Sequence, residues 1–297
     1  MNSSVTAAIP TYRRERVLLD TLDYLLALRT PAAEILVIDQ TERHESGTEE
    51  RLAELHEAGR IRWLRQETPS IPQAMNRGLQ EAKHEIVLFL DDDIRPEPDL
   101  IAQHLTAHRA YPDVLVAGRV IQPWEEGRDF SANEGFCFAG SKAFWITEFM
   151  GGNFSLRRER ALTLGGFDQN FVRVAYRFEA EFAHRLLAAG VRIRFEPKAA
   201  VHHLHVAAGG TRSYGEHLTT SRPDHAVGAY YFALCTRSGW ALVAEFLRRP
   251  LRAAATRHHL RRPWWIALTL LAELRGMGLA IRLHRAGPRY AEAGAPE

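Results

Sequence analysis

The stretch 85–93, EIVLFLDDD, decides the fold. Ile86 to Leu90 form an unbroken apolar run, which suits a strand buried on both faces of a parallel sheet, and the run stops at Asp91, Asp92 and Asp93. Two earlier runs end in the same manner: VTAAI at 5–9 passes into Pro10, Thr11 and Tyr12, and EILVI at 34–38 passes into Asp39 and Gln40. Further strands are predicted over 61–64 and 114–120. Between the first two, Val17, Leu18, Leu22, Leu25 and Leu28 recur at helical spacing. A second helix fits 48–58, with Leu52 and Leu55 inward and Gly59 as its stop, and a third fits 71–83. The repeating unit is βαβ, so the class is α/β: a mainly parallel, mixed sheet flanked by helices. Ligands of such sheets bind at the carboxyl ends of the strands, where these three polar clusters should meet in a nucleotide cleft.

Composition agrees with a globular chain. Of 297 residues, 46% are hydrophobic and 25% charged, which excludes disordered and collagen-like classes. Cys137 and Cys235 match no zinc or redox spacing and read as reduced core residues of a cytoplasmic protein. The polar start at Met1 to Thr6 predicts no secretory signal, and the apolar stretch near Trp264 to Leu271 is too short for a membrane span. The net charge of +2 conceals an asymmetry: residues 237–297 hold eleven Arg against four Glu, leaving the preceding part acidic. Such a tail, with Trp264 and Trp265 beside its arginines, suits either an anionic membrane surface or packing on the body of the protein.

After Arg119 the alternation lapses. Residues 121–150 scatter aromatics and glycines in the manner of loops and short strands walling a pocket. Order returns at 151–156, in helices over 157–164 and 179–189, and in strands over 192–195 and 200–205. A polar loop then leads at 225 into a helical remainder. The expected division is a domain over 1–205, with a donor half at 1–119 and an acceptor half at 120–205, and a basic helical extension over 206–297.

Three adjacent carboxylates repel one another unless a cation neutralises them, so Asp91 to Asp93 suit either a divalent ion held by hard oxygen ligands, Mg²⁺ or Mn²⁺, or a solvated acidic turn ahead of a helix. Alternation along the strand near 200 puts His203 and His205 on one face and His202 on the other.

Four ordered motifs, AAIPTYRR, EILVIDQT, AMNRGLQEAKHEIVLFLDDDIRPEPDL and GGNFSLRRERALTLGGFDQNF, resemble those of the family 2 glycosyltransferases of GT-A fold. The resemblance covers about two thirds of the chain, from Val5 to about His205. It implies metal-dependent transfer of a sugar from a nucleotide-diphosphate sugar to an acceptor hydroxyl, with inversion, in polysaccharide or glycolipid synthesis. By resemblance Pro10, Thr11, Tyr12 and Asp39 hold the nucleoside, Asn76 and Arg77 approach the donor sugar and diphosphate, and Gly151, Gly152 and Asn153 form the turn beneath the sugar. Asp91 and Asp93 match the DxD pair, with Asp92 retained as a ligand candidate, and His203 faces the metal or diphosphate. Glu179 stands where the family carries its catalytic base, with Glu181 as the alternative.

Two departures matter. Gln40 replaces a common acidic residue, which leaves the nucleobase open, and no Gln-x-x-Arg-Trp motif of processive synthases occurs, which favours single addition. The acceptor is expected to be a glycan or lipid-linked intermediate at the inner face of the membrane, with no nucleic-acid partner. The rival readings are an inactive nucleotide-sugar binder, since Phe178-Glu179 stands where a Glu-Asp pair is usual, and a membrane adaptor acting through the basic tail. A dehydrogenase is disfavoured because no G-x-G-x-x-G follows the first strand.

Overall fold

The computed structural model describes residues 4–131, 135–206, 209–210 and 217–291. Its first part winds as β1 (Val5–Thr11), α1 (Arg16–Leu26), β2 (Glu34–Asp39), α2 (Ser46–Glu57), β3 (Arg62–Arg65), α3 (Ile71–Glu81) and β4 (Ile86–Leu90). There follow β5 (Ile94–Pro96), α4 (Leu100–Ala110), β6 (Val114–Ile121), β7 (Phe144–Ile146), β8 (Asn153–Arg157), α5 (Arg158–Thr163), α6 (Phe178–Ala188) and β9 (Arg192–His203). Helices α7 (Val227–Thr236), α8 (Gly239–Ala254), α9 (Arg257–Arg261) and α10 (Ile266–Arg285) complete the chain.

The strands form one sheet in the order β3-β2-β1-β4-β8-β6-β9-β5, with β7 also on β9. Strands β1 to β4 pair in parallel, and β8 enters antiparallel between β4 and β6. The unbroken apolar runs are explained by burial on both faces. On β4, Val87 and Phe89 join one core with Leu36 and Ile38 of β2, while Ile86, Leu88 and Leu90 join the other with Leu18, Leu22 and Leu52 of α1 and α2.

The first of these cores continues into the carboxyl-terminal helices. Tyr230 and Tyr231 of α7 are buried in it beside Phe171 and Phe182, and α10 approaches α7 through Gly276, where a Cβ would lie 2.6 Å from that of Ala226. Packing on the body, one of the two uses expected for this tail, therefore accounts for its inner face. Among the described residues no helix is long and apolar enough to cross a membrane.

Some expectations need correction. The strands expected over 192–195 and 200–205 are one strand, β9, whose pairing with β6 jumps from Gly118↔Glu196 to Arg119↔Ala200 across a bulge. The sequence pattern does not reveal α4, because buried His104 and His108 interrupt the inner face that Leu100, Ile101 and Ala107 begin. Both imidazoles bond to the Ser155 hydroxyl at 2.8 Å, and burial depresses them to about 4 and about 3. β5 is only three residues long and contains Pro96, too little for a pattern.

Candidate active site

The carboxyl ends of β1 and β4 open into a hollow lined by Pro10, Thr11, Tyr12, Gln40, Asp91 to Asp93 and His203. Antiparallel pairing of Leu90 with Asn153 sets Gly152 against Asp91, where a Cβ would fall 2.1 Å from Asp91 Oδ2, so glycine is required for the carboxylate to keep this position.

The register Ile94↔His203 brings the histidine beside Asp93. His203 Nε2 lies 3.1 Å from Asp93 Oδ1 and 3.9 Å from Asp91 Oδ2, while Nδ1 is 2.9 Å from Gln122 Oε1. With Nδ1 donating to that amide oxygen, Nε2 faces two carboxylates and needs a cation between them, a proton or a metal ion. Asp91, Asp93 and His203 offer ligand atoms all within 4.8 Å of one another. Two carboxylate oxygens and one imidazole nitrogen, open to a cleft in which substrate can supply more oxygens, fit a divalent ion of the Mg²⁺ or Mn²⁺ type, and the nitrogen suits Mn²⁺ better.

Asp92 points elsewhere. Its Oδ2 accepts from Thr11 Oγ1 at 2.7 Å and its Oδ1 takes Arg14 Nε at 3.1 Å, while Arg14 Nη2 reaches Asp93 Oδ2 at 3.2 Å. Asp92 is thus a structural counter-ion on the wall of the hollow and not a third ligand. Burial pushes Asp92 up, together with the Asp93 and Asp91 charges and against Arg14. Asp93 behaves oppositely: burial would raise it, but the bonded His203 and the nearby Arg14 hold it below the usual carboxylate range. Asp91 is half exposed at the mouth of the cleft, and the protein packed around it together with the Asp93 charge pushes it up in spite of His203 and Arg14.

A second hollow shares Ile71, Met75 and Asp91 with the first and contains Gly151, Gly152 and Glu179. Glu179 opens α6, and a Cβ on Gly151 would come within 2.9 Å of its Oε1. Burial raises its carboxyl to about 7, with the Asp91 charge adding and backbone hydrogen bonds and Arg177 opposing. Such a group accepts a proton near neutrality. Glu181, the alternative base, is excluded by its surroundings: it is buried and grips Arg185 through both oxygens at 2.7 and 2.9 Å.

Four further expected residues are not among those that line either hollow. Asp39 is fully buried, with Oδ2 2.9 Å from both His44 Nε2 and Trp63 Nε1 and Oδ1 accepting from the Thr41 amide, so it supports the β2 end without lining the hollow. Asn76 spends its amide on the Phe167 backbone at 2.7 Å in both directions. Arg77 donates to Arg65 O and lies outside the hollow. Asn153 is the buried first residue of β8, bonded to His104, Arg119 O and Ala199 O. Gln40 does line the hollow, where it ties β1 to α3 by accepting from the Ser70 amide at 2.7 Å and donating to Thr11 O at 3.2 Å.

Two features were missed. Nothing in the sequence separates Arg14 from Arg13, yet Arg13 is exposed on Glu42 and Arg14 is buried between aspartates. The segment 173–177 walls both hollows on left-handed backbone at Arg173 (φ 63°), Ala175 (φ 55°) and Arg177 (φ 74°). None of the three is the Gly or Asn that signals such geometry, and surrounding contacts hold them. Arg177 pairs with Glu148 at 2.9 Å, and Gly228 presses on the Tyr176 carbonyl, where a Cβ would lie 2.2 Å away.

Comparison with known proteins gives the fold and the family. A glucosyl-dolichyl phosphate glucuronosyltransferase of Haloferax volcanii is 24% identical over 216 residues, 67% of this chain and 68% of the relative. The structure of S. aureus TarS 1-349 in complex with UDP-GlcNAc aligns with TM-score 0.61 and 14% identity over 97% of this chain and 93% of that one. GalNAc-T7 with UDP, GalNAc and Mn²⁺ aligns with TM-score 0.56 and 17% identity over 68% of this chain, which spans only 44% of GalNAc-T7. These likenesses establish the GT-A fold. Residues 6–180, more than half of the chain, match the family described as Glycosyl transferase family 2, and the chain belongs to that family.

Proposed function

We propose that this glycosyltransferase moves a sugar from a nucleoside-diphosphate donor to an acceptor hydroxyl with inversion, with Asp91, Asp93 and His203 holding Mg²⁺ or Mn²⁺ and Glu179 serving as base. The carrying observation is that Asp91 borders both hollows, so the aspartate-histidine corner lies on one side of it and Glu179 on the other. A divalent ion there would neutralise charge on the departing diphosphate. Pro10, Thr11 and Tyr12 line the wall available to the nucleoside, and Gly152 lets the Asp91 carboxylate sit close against its backbone on the side proposed for the donor sugar. Glu179 takes the acceptor O–H proton as that oxygen bonds to the anomeric carbon and the bond from this carbon to the diphosphate oxygen breaks. Attack opposite the leaving group inverts the centre.

In this reading residues 1–205 carry the chemistry and 206–297 serve the acceptor side, where a glycan or lipid-linked acceptor is met at the inner, cytoplasmic membrane face. Support for a peripheral membrane contact comes from α8, which exposes Trp240, Val243, Leu247 and Leu251 along one stripe beside Arg248 and Arg252. The test is a panel of nucleotide-sugars scored by Tm with Mn²⁺ and with EDTA. One donor should stabilise the protein with Mn²⁺ only and lose that effect in a folded Asp93→Ala variant. Full sugar transfer by that variant would refute the metal role.

A further inference from the structure

A third cavity, ≈ 400 Å³, lies between α8, α10 and the 173–177 segment. It shares Val174 and Tyr176 with the hollow that contains Glu179, so the same strained wall separates the proposed base from this cavity. Three guanidinium groups line it, Arg222, Arg249 and Arg252, against one lining carboxylate, Glu273. Glu273 is buried and occupied: it accepts from Tyr230 OH at 2.8 Å and lies 3.1 Å from Arg249 Nε. That nitrogen is buried and has no hydrogen bond beyond this ion pair. Arg252 leans on Glu245, which is outside the cavity lining. The site therefore holds more cationic donor capacity than its own acceptors use, arranged around a space large enough for a ligand.

We propose that this cavity binds a phosphoryl group carried by the acceptor, holding the acceptor so that its hydroxyl enters the Glu179 hollow. Phosphate fits because its several oxygens accept from more than one guanidinium at once, which a lone carboxylate does less well. The helices that build the cavity also expose apolar side chains, Leu247 and Leu251 on α8 and Leu268, Leu271 and Leu274 on α10, so an acyl or prenyl chain attached to the phosphate has a surface to follow. The inference rests on the transferase reading for its purpose and on the cavity alone for its binding.

The test uses the full chain in EDTA, with Tm read against octyl phosphate, inorganic phosphate and octanol. Octyl phosphate should stabilise the protein and octanol should not. Half-saturation should rise about tenfold in Arg222→Gln and in Arg249→Gln, the loss expected for one charged hydrogen-bonding partner. Arg222 is exposed and makes no side-chain bond or ion pair among the described residues, so its variant reports even if removal of the Glu273 partner unfolds the other. A larger shift from octyl than from inorganic phosphate assigns a lipid-linked phosphate; equal shifts assign a water-soluble phosphorylated acceptor; either upholds the site. Absence of a wild-type shift, or unchanged half-saturation in Arg222→Gln, overturns it. The Mn²⁺-dependent donor panel is read in parallel: donor stabilisation without phosphate binding sinks this inference alone, and phosphate binding without donor stabilisation sinks the transferase reading alone.

Discussion

The ends of β2 and β4 look alike in sequence, since each is an apolar run closed by aspartate at the same edge of one sheet, yet they do different work. Asp39 is fully enclosed, and Thr41, His44 and Trp63 consume its acceptor capacity. These partners outweigh burial and hold its carboxyl low, and His44 is raised in return by Asp39 and Glu15 against its own burial. At β4, Arg14 and Thr11 engage Asp92 and part of Asp93, while Asp91 and one oxygen of Asp93 turn to His203 and the cleft. The lesson is that a strand-end carboxylate stays available to a ligand only where the fold leaves its oxygens without enough protein donors. Glu179 and Glu181 repeat the contrast within one helical turn: one borders the hollow and the other is clamped by Arg185.

The sharpest way to break this contrast is at α6. Glu179→Gln should lower kcat about 10³-fold, within the range for loss of a general base, with donor binding and Tm kept. A kcat within threefold of wild type would move the base elsewhere.

At β2 the effect should fall on stability. Asp39→Asn sets an amide N–H against the His44 and Trp63 donors, and a loss of about 2–3 kcal/mol is expected by urea unfolding, with kcat in the folded protein changed less than threefold. A large kcat effect without destabilisation would return Asp39 to the site.

The smallest effect concerns pH. Glu179 is raised to about 7, so below that pH it is protonated and cannot act as base. The kcat profile should fall about tenfold per unit on the acid side of 7. The sign for folding is the opposite: the folded state holds this proton more tightly than the unfolded chain does, so its ionisation removes stability as pH rises from the ordinary carboxylate value through 7. A flat kcat between pH 5 and 8 would contradict the assignment.

Much of the fold was legible because periodicity reports burial directly: the runs of β1, β2 and β4 alternate between two cores, and the segments between them show helical spacing. The helix α4 escaped because two buried histidines bonded to Ser155 interrupt its apolar stripe, a pairing that becomes visible only when β8 is packed against it. Among the candidate residues, Asn76 and Asn153 have the right type and neighbours for a ligand site, but their amides bond to backbone 91 and 46 residues away, at Phe167 and Ala199.

The order of polar clusters along the chain, the two-sided burial of its strands and the acidic mouth of β4 are properties of local sequence, because side-chain period and strand-end position need only neighbours a few residues apart. The tertiary structure alone decided which of those polar groups stay available. That choice depends on donors brought in from distant segments, Arg14 to Asp92 and Arg185 to Glu181, and on a wall at 173–177 whose left-handed backbone is held by contacts with Glu148 and Gly228 and not by its own residue types.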